Sequence, residues 1–519
     1  MFPRNFPDLF ELQGGEKKHH RLSIDFSGKP DTLHHTQYPA VVSASRGYYA
    51  QTQAIPLLSL KDNAQSAQLR RLIDQGIEGD NSFYAKRERI DEYGWRNYGE
   101  LYADHEGAYH EGEQPLVSHY NNQYDPILGF FQQFFVSGRY EYFDLMDSLA
   151  RHVVDIDIYH TDKDRAEYSN GLFWHTDHYL DAETCTHRTI SKHHNPESYW
   201  DYQKGGGPGE EHCYSSGLLM HYFLTGNEHS KAALRKLGEW VPVFHRGSGT
   251  VLERIKSFAS SDLKKLLALC KGRRLPRRSH PLSRATGNLL NAQLDLFQLT
   301  GEKKYIQACA KIIGDTIHPN DDIEARELLD IEKNWSYTVF FQALIRFLEF
   351  KRLYDDTDMD FEFARQTLET YGTWMFKNES PSLDQADSLE HPNGTWLAQD
   401  LRKVNVLFAA AFYASNNRDA MLEKGNTLFN HCLDALTASD EATYTRILTL
   451  MMQSYGVCDY FAGIQAIEPI DNADLSKSVP AQPYYSISGI LANFLTDTAR
   501  ALTHFSPRRE YRWLKHRIG

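Results

Sequence analysis

From residue 126 onward, apolar positions recur with the 3.6-residue period of helices, and the helices come in pairs joined by small-residue turns. The turns read FFVSGRYEYFD, YFLTGNEHSKA, LFQLTGEKKYI and AFYASNNRDAM, with a more polar version at LYDDTDMDFEF. Gly138, Gly226 and Gly301 stand where a helix end favours a left-handed residue, and Asn417 can substitute there. The pattern predicts hairpins at 126–136/140–156, 211–224/230–244, 284–299/303–317, 336–353/361–376 and 398–413/418–436, then helices at 442–455 and 486–502. The first helix of each pair is the more apolar, as in FFQQFFV, SGLLMHYFL and NVLFAAAFYA. A helix that is apolar nearly all round must be buried. Stacked helical pairs with buried first members predict a mainly α, (α/α)6 toroid, with an open α-solenoid as the competing arrangement.

Before residue 60 the pattern changes. HRLSIDF, YPAVVSAS and GYYAQTQAIPLL alternate in places between Gly and Pro, which predicts a small N-terminal β-rich appendage. The expected division is therefore 1–90 as a β-rich segment, in reading a truncated β-domain, and 91–519 as the toroid.

One stretch fits neither period. Asn170 to His221 holds seven histidines, a Gly-Gly-Gly-Pro-Gly run and the acidic pair Glu210 and Glu211. A connection this long inside a helical domain is usually functional or disordered, and its many aromatic residues argue against disorder. Its residue types suit β-elimination at a uronate. There a cation or amide must neutralise the sugar carboxylate, a Tyr or His must take the neighbouring carbon's proton, and another must protonate the leaving oxygen. The candidate catalytic residues are His175, His178, Tyr179, His187, His212 and Tyr214. The candidate substrate-binding residues are Arg96, Asn121, Asn122, Tyr124, Trp174, Arg188, Glu211, Trp396, Gln399 and Arg402. Those outside the long stretch lie in connections or at helix starts that share one end of the expected toroid. Asp125 followed by Pro126 reads equally as a helix N-cap.

Composition narrows the classes. With 56 Lys and Arg against 69 Asp and Glu, the formal charge is −13, which argues against a nucleic-acid binder. The one basic run, KGRRLPRR at 271–278, reads as a solvated loop. No apolar run is long enough to span a bilayer, and the N-terminus lacks a signal-peptide pattern, so a cytoplasmic protein without membrane contact is expected. The six cysteines are scattered, without a CxxC pair, and read as reduced thiols. The histidines match no zinc signature, so no metal is assigned and no cofactor is implied, although a divalent cation such as calcium stays open.

The strings FPDLFELQGGEKKHH, YGWRNYGELYADHEG, SHYNNQYDP, RHVVDIDIYHTD, NGLFWHTDHY, GGGPGEEHCYSSGLLMHYFLTG and TWLAQDLRKVN together resemble the exo-rhamnogalacturonan-lyase-like proteins, the family around polysaccharide lyase family 26. The resemblance runs to about Asn405. It implies an (α/α)6 toroid with β-rich flanking parts and a lyase that cleaves a uronic-acid-containing, rhamnogalacturonan-like glycan by β-elimination. Relative to that pattern the N-terminal and C-terminal β regions look short here. Two other readings stay open. One is an inverting glycoside hydrolase using carboxylates such as Asp177, Glu211 or Asp400. The other is a non-catalytic glycan-binding or assembly protein of polysaccharide biosynthesis.

Overall fold

The structure, a computed structural model, describes residues 14–29, 33, 39–55, 57–59, 61–106, 112, 117–164, 166–173, 208–464 and 480–518. Among the described residues, three helices come first: α1 (Arg46–Thr52), α2 (Ala64–Asp74) and α3 (Phe83–Arg89). Two hairpins follow, α4 (Pro126–Ser137) with α5 (Tyr140–His152), and α6 (Ser216–Thr225) with α7 (Glu228–Arg246). Beyond α8 (Val251–Ser257) and α9 (Leu263–Cys270), α10 (Arg284–Thr300) pairs with α11 (Lys303–Gly314). A single turn, α12 (Ile331–Asn334), leads into α13 (Tyr337–Leu353) and α14 (Met359–Asn378). The hairpin of α15 (Thr395–Tyr413) and α16 (Arg418–Thr437) precedes α17 (Thr445–Ser454) and α18 (Val457–Gly463). Two more helices, α19 (Ile487–Thr503) and α20 (Pro507–Ile518), end the chain.

The apolar first members form a closed ring. Helix α4 packs on α6, α6 on α10, α10 on α13, α13 on α15, α15 on α17, and α17 back on α4. Every residue of α15 from Leu397 to Tyr413 is buried: its second half is nearly all apolar, and Asp400 and Lys403 in its first half are ion-paired. Helices α5, α7, α11, α14 and α16 back the ring from outside. The sixth outer position is taken by α2, which packs on α16 and α17 although it precedes the first hairpin in sequence. Both ends of the ring-forming chain therefore meet at one seam. The fold is the expected α/α toroid, closed rather than an open solenoid. Gly138, Gly226 and Gly301 end their helices at φ 71°, 68° and 70°, and Asn417 takes the same left-handed form at 61°.

Three expectations need correction. Within GYYAQTQAIPLL, residues Arg46–Thr52 form α1, started by the Ser45 side chain accepting from the Tyr48 amide. No strand forms among the described residues before Lys61, so the β-rich appendage is not found there. A few alternating residues cannot distinguish a strand from one helical turn unless a partner strand pairs with them. Second, the helix expected from Glu211 begins at Ser216. Glu210–His212 make a separate 3-10 turn, and Cys213 (φ −81°, ψ 81°) breaks the run. Third, the basic run at 271–278 is not merely solvated: Arg278 pairs with Asp321, and Arg274 lies 3.9 Å over the Tyr484 ring. Among the described residues, no helix is long and apolar enough to cross a membrane.

Candidate active site

The connections before α4, α6, α10, α13 and α15 converge at one mouth of the ring, and they bring two phenols together among guanidinium groups. SHYNNQYDP ends in a tight left-handed turn, with positive φ at Asn121 (57°), Asn122 (53°), Tyr124 (60°) and Asp125 (59°). Asparagine tolerates that region, whereas an aromatic residue there is strained and needs a compensating fit. Asp125 holds the turn. Its carboxylate accepts from the Leu128 amide (3.3 Å), as the expected N-cap, and from the Gly217 amide (2.8 Å), which ties α4 to α6. The Asn122 amide donates to the Tyr214 carbonyl (3.3 Å), and the Asn121 amide donates to the Phe173 carbonyl (2.5 Å).

Tyr124 and Tyr214 are both buried, with ring centroids 5.8 Å apart. The guanidinium of Arg402 lies 4.6 Å over the Tyr124 ring and 5.8 Å from that of Trp335. Arg402 donates to Gln453 (2.8 Å) and to Gln399, and the Gln399 amide in turn donates to the Tyr124 hydroxyl (3.3 Å). Arg284 sits 5.5 Å from the Trp335 ring and pairs with Glu211 at 2.9 Å. Trp396 meets Trp335 edge-on at 6.4 Å, so the two indoles form a wall beside the phenols.

The electrostatics separate the two phenols. Burial, the largest influence on Tyr124, pushes its pKa up, but Arg284, Arg446, Arg402 and the Gln399 hydrogen bond together outweigh it. The Tyr124 pKa therefore lies below the ordinary phenol value. For Tyr214, burial dominates and raises the pKa; Arg284 only partly offsets it, and the neighbouring Tyr124 adds to the rise. Side by side stand a phenol whose proton is held less tightly than usual and one whose proton is held more tightly. Such divergence is how one site supplies both a base and an acid. A third group completes the set: burial and the adjacent Glu211 push Glu210 up to about 7, against Arg284 and a backbone hydrogen bond. The Asn288 amide fastens this acidic turn by donating to the carbonyls of Glu210 (3.3 Å) and Glu211 (2.8 Å).

The expected site residues divide into three groups. Tyr124, Tyr214, Glu211, Trp396, Gln399 and Arg402 come together here, and Asn121 and Asn122 position them. His212 is buried with its ring 6.4 Å from Tyr214. Arg96 instead pairs with the buried Glu16 at 2.5 Å, a structural tie to the N-terminal segment. His175, His178, Tyr179, His187, Trp174, Arg188 and Asp177 lie outside the described residues. Asp400 is completely buried, salt-bridged to Lys403 (2.9 Å) and hydrogen-bonded by Ser382, which leaves it no face for a substrate. Cys213 is buried and its thiol pKa is pushed well up by desolvation, so no thiolate is offered.

Arg284, Asn288 and Gln453 were not foreseen. Arg284 left a signal, because it opens α10. A cation in the first turn opposes the helix dipole and calls for an external anion. Arg446, in the first turn of α17, carries the same mark.

A family model described as PcRGLX-like protein C-terminal alpha/alpha toroid domain matches residues 39–166. This chain is similar to a rhamnogalacturonan-lyase-like toroid. The match covers the segment holding α1 to α5 and the Tyr124 turn, roughly a quarter of the chain. It supports the toroid assignment and a relation to rhamnogalacturonan-lyase-like proteins at the coarse level. No curated protein matches the chain.

Proposed function

We propose that this protein is a polysaccharide lyase acting by β-elimination on a uronic-acid-containing, rhamnogalacturonan-like glycan. The observation that carries the reading is the phenol pair: Tyr124 lowered and Tyr214 raised in pKa, 5.8 Å apart, among Arg284, Arg402 and Arg446. Arg284 binds the uronate carboxylate, in the place where the half-exposed Glu211 carboxylate now sits. That pairing withdraws charge and acidifies the proton on the adjacent carbon, C5. Tyr124, as phenolate, takes the C5 proton. The released electron pair forms the C4–C5 double bond and expels the C4 oxygen, which receives the Tyr214 proton. The products are a neutral Tyr124 and a Tyr214 phenolate, and the higher proton affinity of Tyr214 makes return of the proton to it downhill. Trp335 and Trp396 offer apolar faces for sugar rings.

A second reading rests on Glu210, whose pKa of about 7 suits the general acid of an inverting hydrolase. Incubation with acidic glycans distinguishes the two. Growth of the ultraviolet absorbance of an unsaturated uronate marks the lyase, and its loss in Tyr124→Phe is expected. New reducing ends without that absorbance would make the protein a hydrolase. Binding with neither signal would leave a glycan-binding protein.

A further inference from the structure

A second cluster of ionisable groups lies away from the phenols, where α5 runs into a π turn at Val153–Asp157. His152, Glu100 and Asp157 are each no more than about one per cent exposed by side chain, and one ligand-type atom of each lies within 4.8 Å of the others. The His152 Nε2 stands 3.2 Å from Glu100 Oε2 and 3.4 Å from Asp157 Oδ1. We propose that Glu100, His152 and Asp157 form a buried binding site for a four-coordinate divalent cation of the zinc type.

Three observations carry this. The first is sharing: a single ring nitrogen, His152 Nε2, faces carboxylate oxygens of both Glu100 and Asp157 at once. One nitrogen and two carboxylate oxygens gathered this closely can serve as ligands around a common point. The second is spacing. In a tetrahedral site with bonds of about 2.0–2.1 Å, ligand atoms stand roughly 3.3 Å apart, which matches both separations. The third is construction. Residues five apart in an α-helix point about 140° away from each other. The wider π turn brings Asp157 back to the side of His152, and such turns concentrate at functional sites. Glu100 arrives on a separate segment that can reach α5 because of Gly99. At φ 106° a Cβ there would stand 2.8 Å from the Ser148 carbonyl carbon. The Leu101 amide holds Glu100 Oε1 at 2.7 Å and so orients the carboxylate whose Oε2 faces His152.

The donor set is the chemistry of zinc. One neutral imidazole and two carboxylates total −2, which complements a divalent cation, whereas calcium prefers oxygen donors throughout. Within this fold the site would pin the segment at 100–103 to α5. That segment pairs with the chain leading to Tyr124, through Ala103 N to Ser118 O (2.8 Å) and Tyr120 N to Leu101 O (3.1 Å). The role is structural and holds whichever glycan chemistry the phenols perform.

The test is metal content and metal response of the full chain. The purified protein is equilibrated with Zn2+, freed of excess by gel filtration and assayed by elemental analysis beside Asp157→Asn. Wild type is expected to hold about one equivalent more than the variant, and to gain thermal stability with Zn2+ where the variant gains none. Equal zinc in two folded proteins would assign the metal to surface histidines and overturn the proposal. Should the variant fail to fold, Co2+ loading of wild type decides. Intense visible bands of tetrahedral N/O coordination at one equivalent support the site, and weak octahedral bands or none overturn it.

Discussion

At the residue scale, the proposed lyase chemistry rests on two tyrosines whose pKa values are shifted in opposite directions. General acid or base groups typically contribute about 10²–10⁴-fold to a rate. Tyr124→Phe and Tyr214→Phe should therefore each lower kcat by that order. Each loses only a hydroxyl, so circular dichroism and thermal melting should stay near wild type. The pH dependence follows from Tyr124. In the proposed lyase reaction it works as the phenolate, so the rate should rise with pH until Tyr124 is fully ionised. The guanidiniums hold its pKa below the ordinary phenol value. Arg446→Gln removes one of them, raises the Tyr124 pKa and should move the acidic limb of the pH–kcat profile to higher pH. An unmoved limb would show that another group is the base. Arg402→Lys should also be damaging, because lysine cannot keep both the ring stacking and the forked donation to Gln399 and Gln453.

At the element scale, the site depends on how closely α4 and α6 approach. Gly217 sits at that contact, and a Cβ there would stand 2.6 Å from the Ile127 Cβ and 2.7 Å from the Leu128 amide nitrogen. Backbone cannot give way as a flexible side chain can. Gly217→Ala should destabilise by about 1–3 kcal/mol, as overpacking of a core does, and should lower activity by displacing Tyr124 and Tyr214 together. Asp125 bridges the same two helices. Asn keeps a side-chain oxygen for capping, so Asp125→Asn should be milder in urea unfolding than Asp125→Ala, which strands the Leu128 and Gly217 amides. A larger loss for Asn than for Ala would show that the bridge needs the carboxylate.

At the scale of the whole molecule, ring closure brings sequence-distant parts together. Lys86 in α3 is buried against Asp104 (2.8 Å) and donates to the Thr443 carbonyl (2.5 Å) just before α17. This joins the segment before the first hairpin to the last helix of the ring. Removing one partner of a buried ion pair leaves the other charge unpaired, at about 3–5 kcal/mol. Lys86→Met should show that loss in denaturant unfolding, and Lys86→Met with Asp104→Leu should recover part of it. No recovery in the double variant would mean that the lysine acts through the carbonyl rather than through the pair.

The amino-acid pattern by itself determined the helices and their pairing. Buried inner helices such as NVLFAAAFYA are apolar on every side, and the glycine ends at 138, 226 and 301 rest on local backbone geometry. It also marked Tyr124, Tyr214, Gln399 and Arg402, because chemistry-bearing residues in connections at one end of a toroid must converge. Other features were decided only by tertiary contact. GYYAQT became a helix because an alternation so short carries no preference without a partner strand. The sixth outer position went to α2 because ring closure juxtaposes chain ends that no local pattern relates. The divergence of the two phenols emerged only in the fold, where three guanidiniums from separate helices act on one while burial dominates the other. Two tyrosines that are chemically identical in sequence thereby acquire opposite proton affinities.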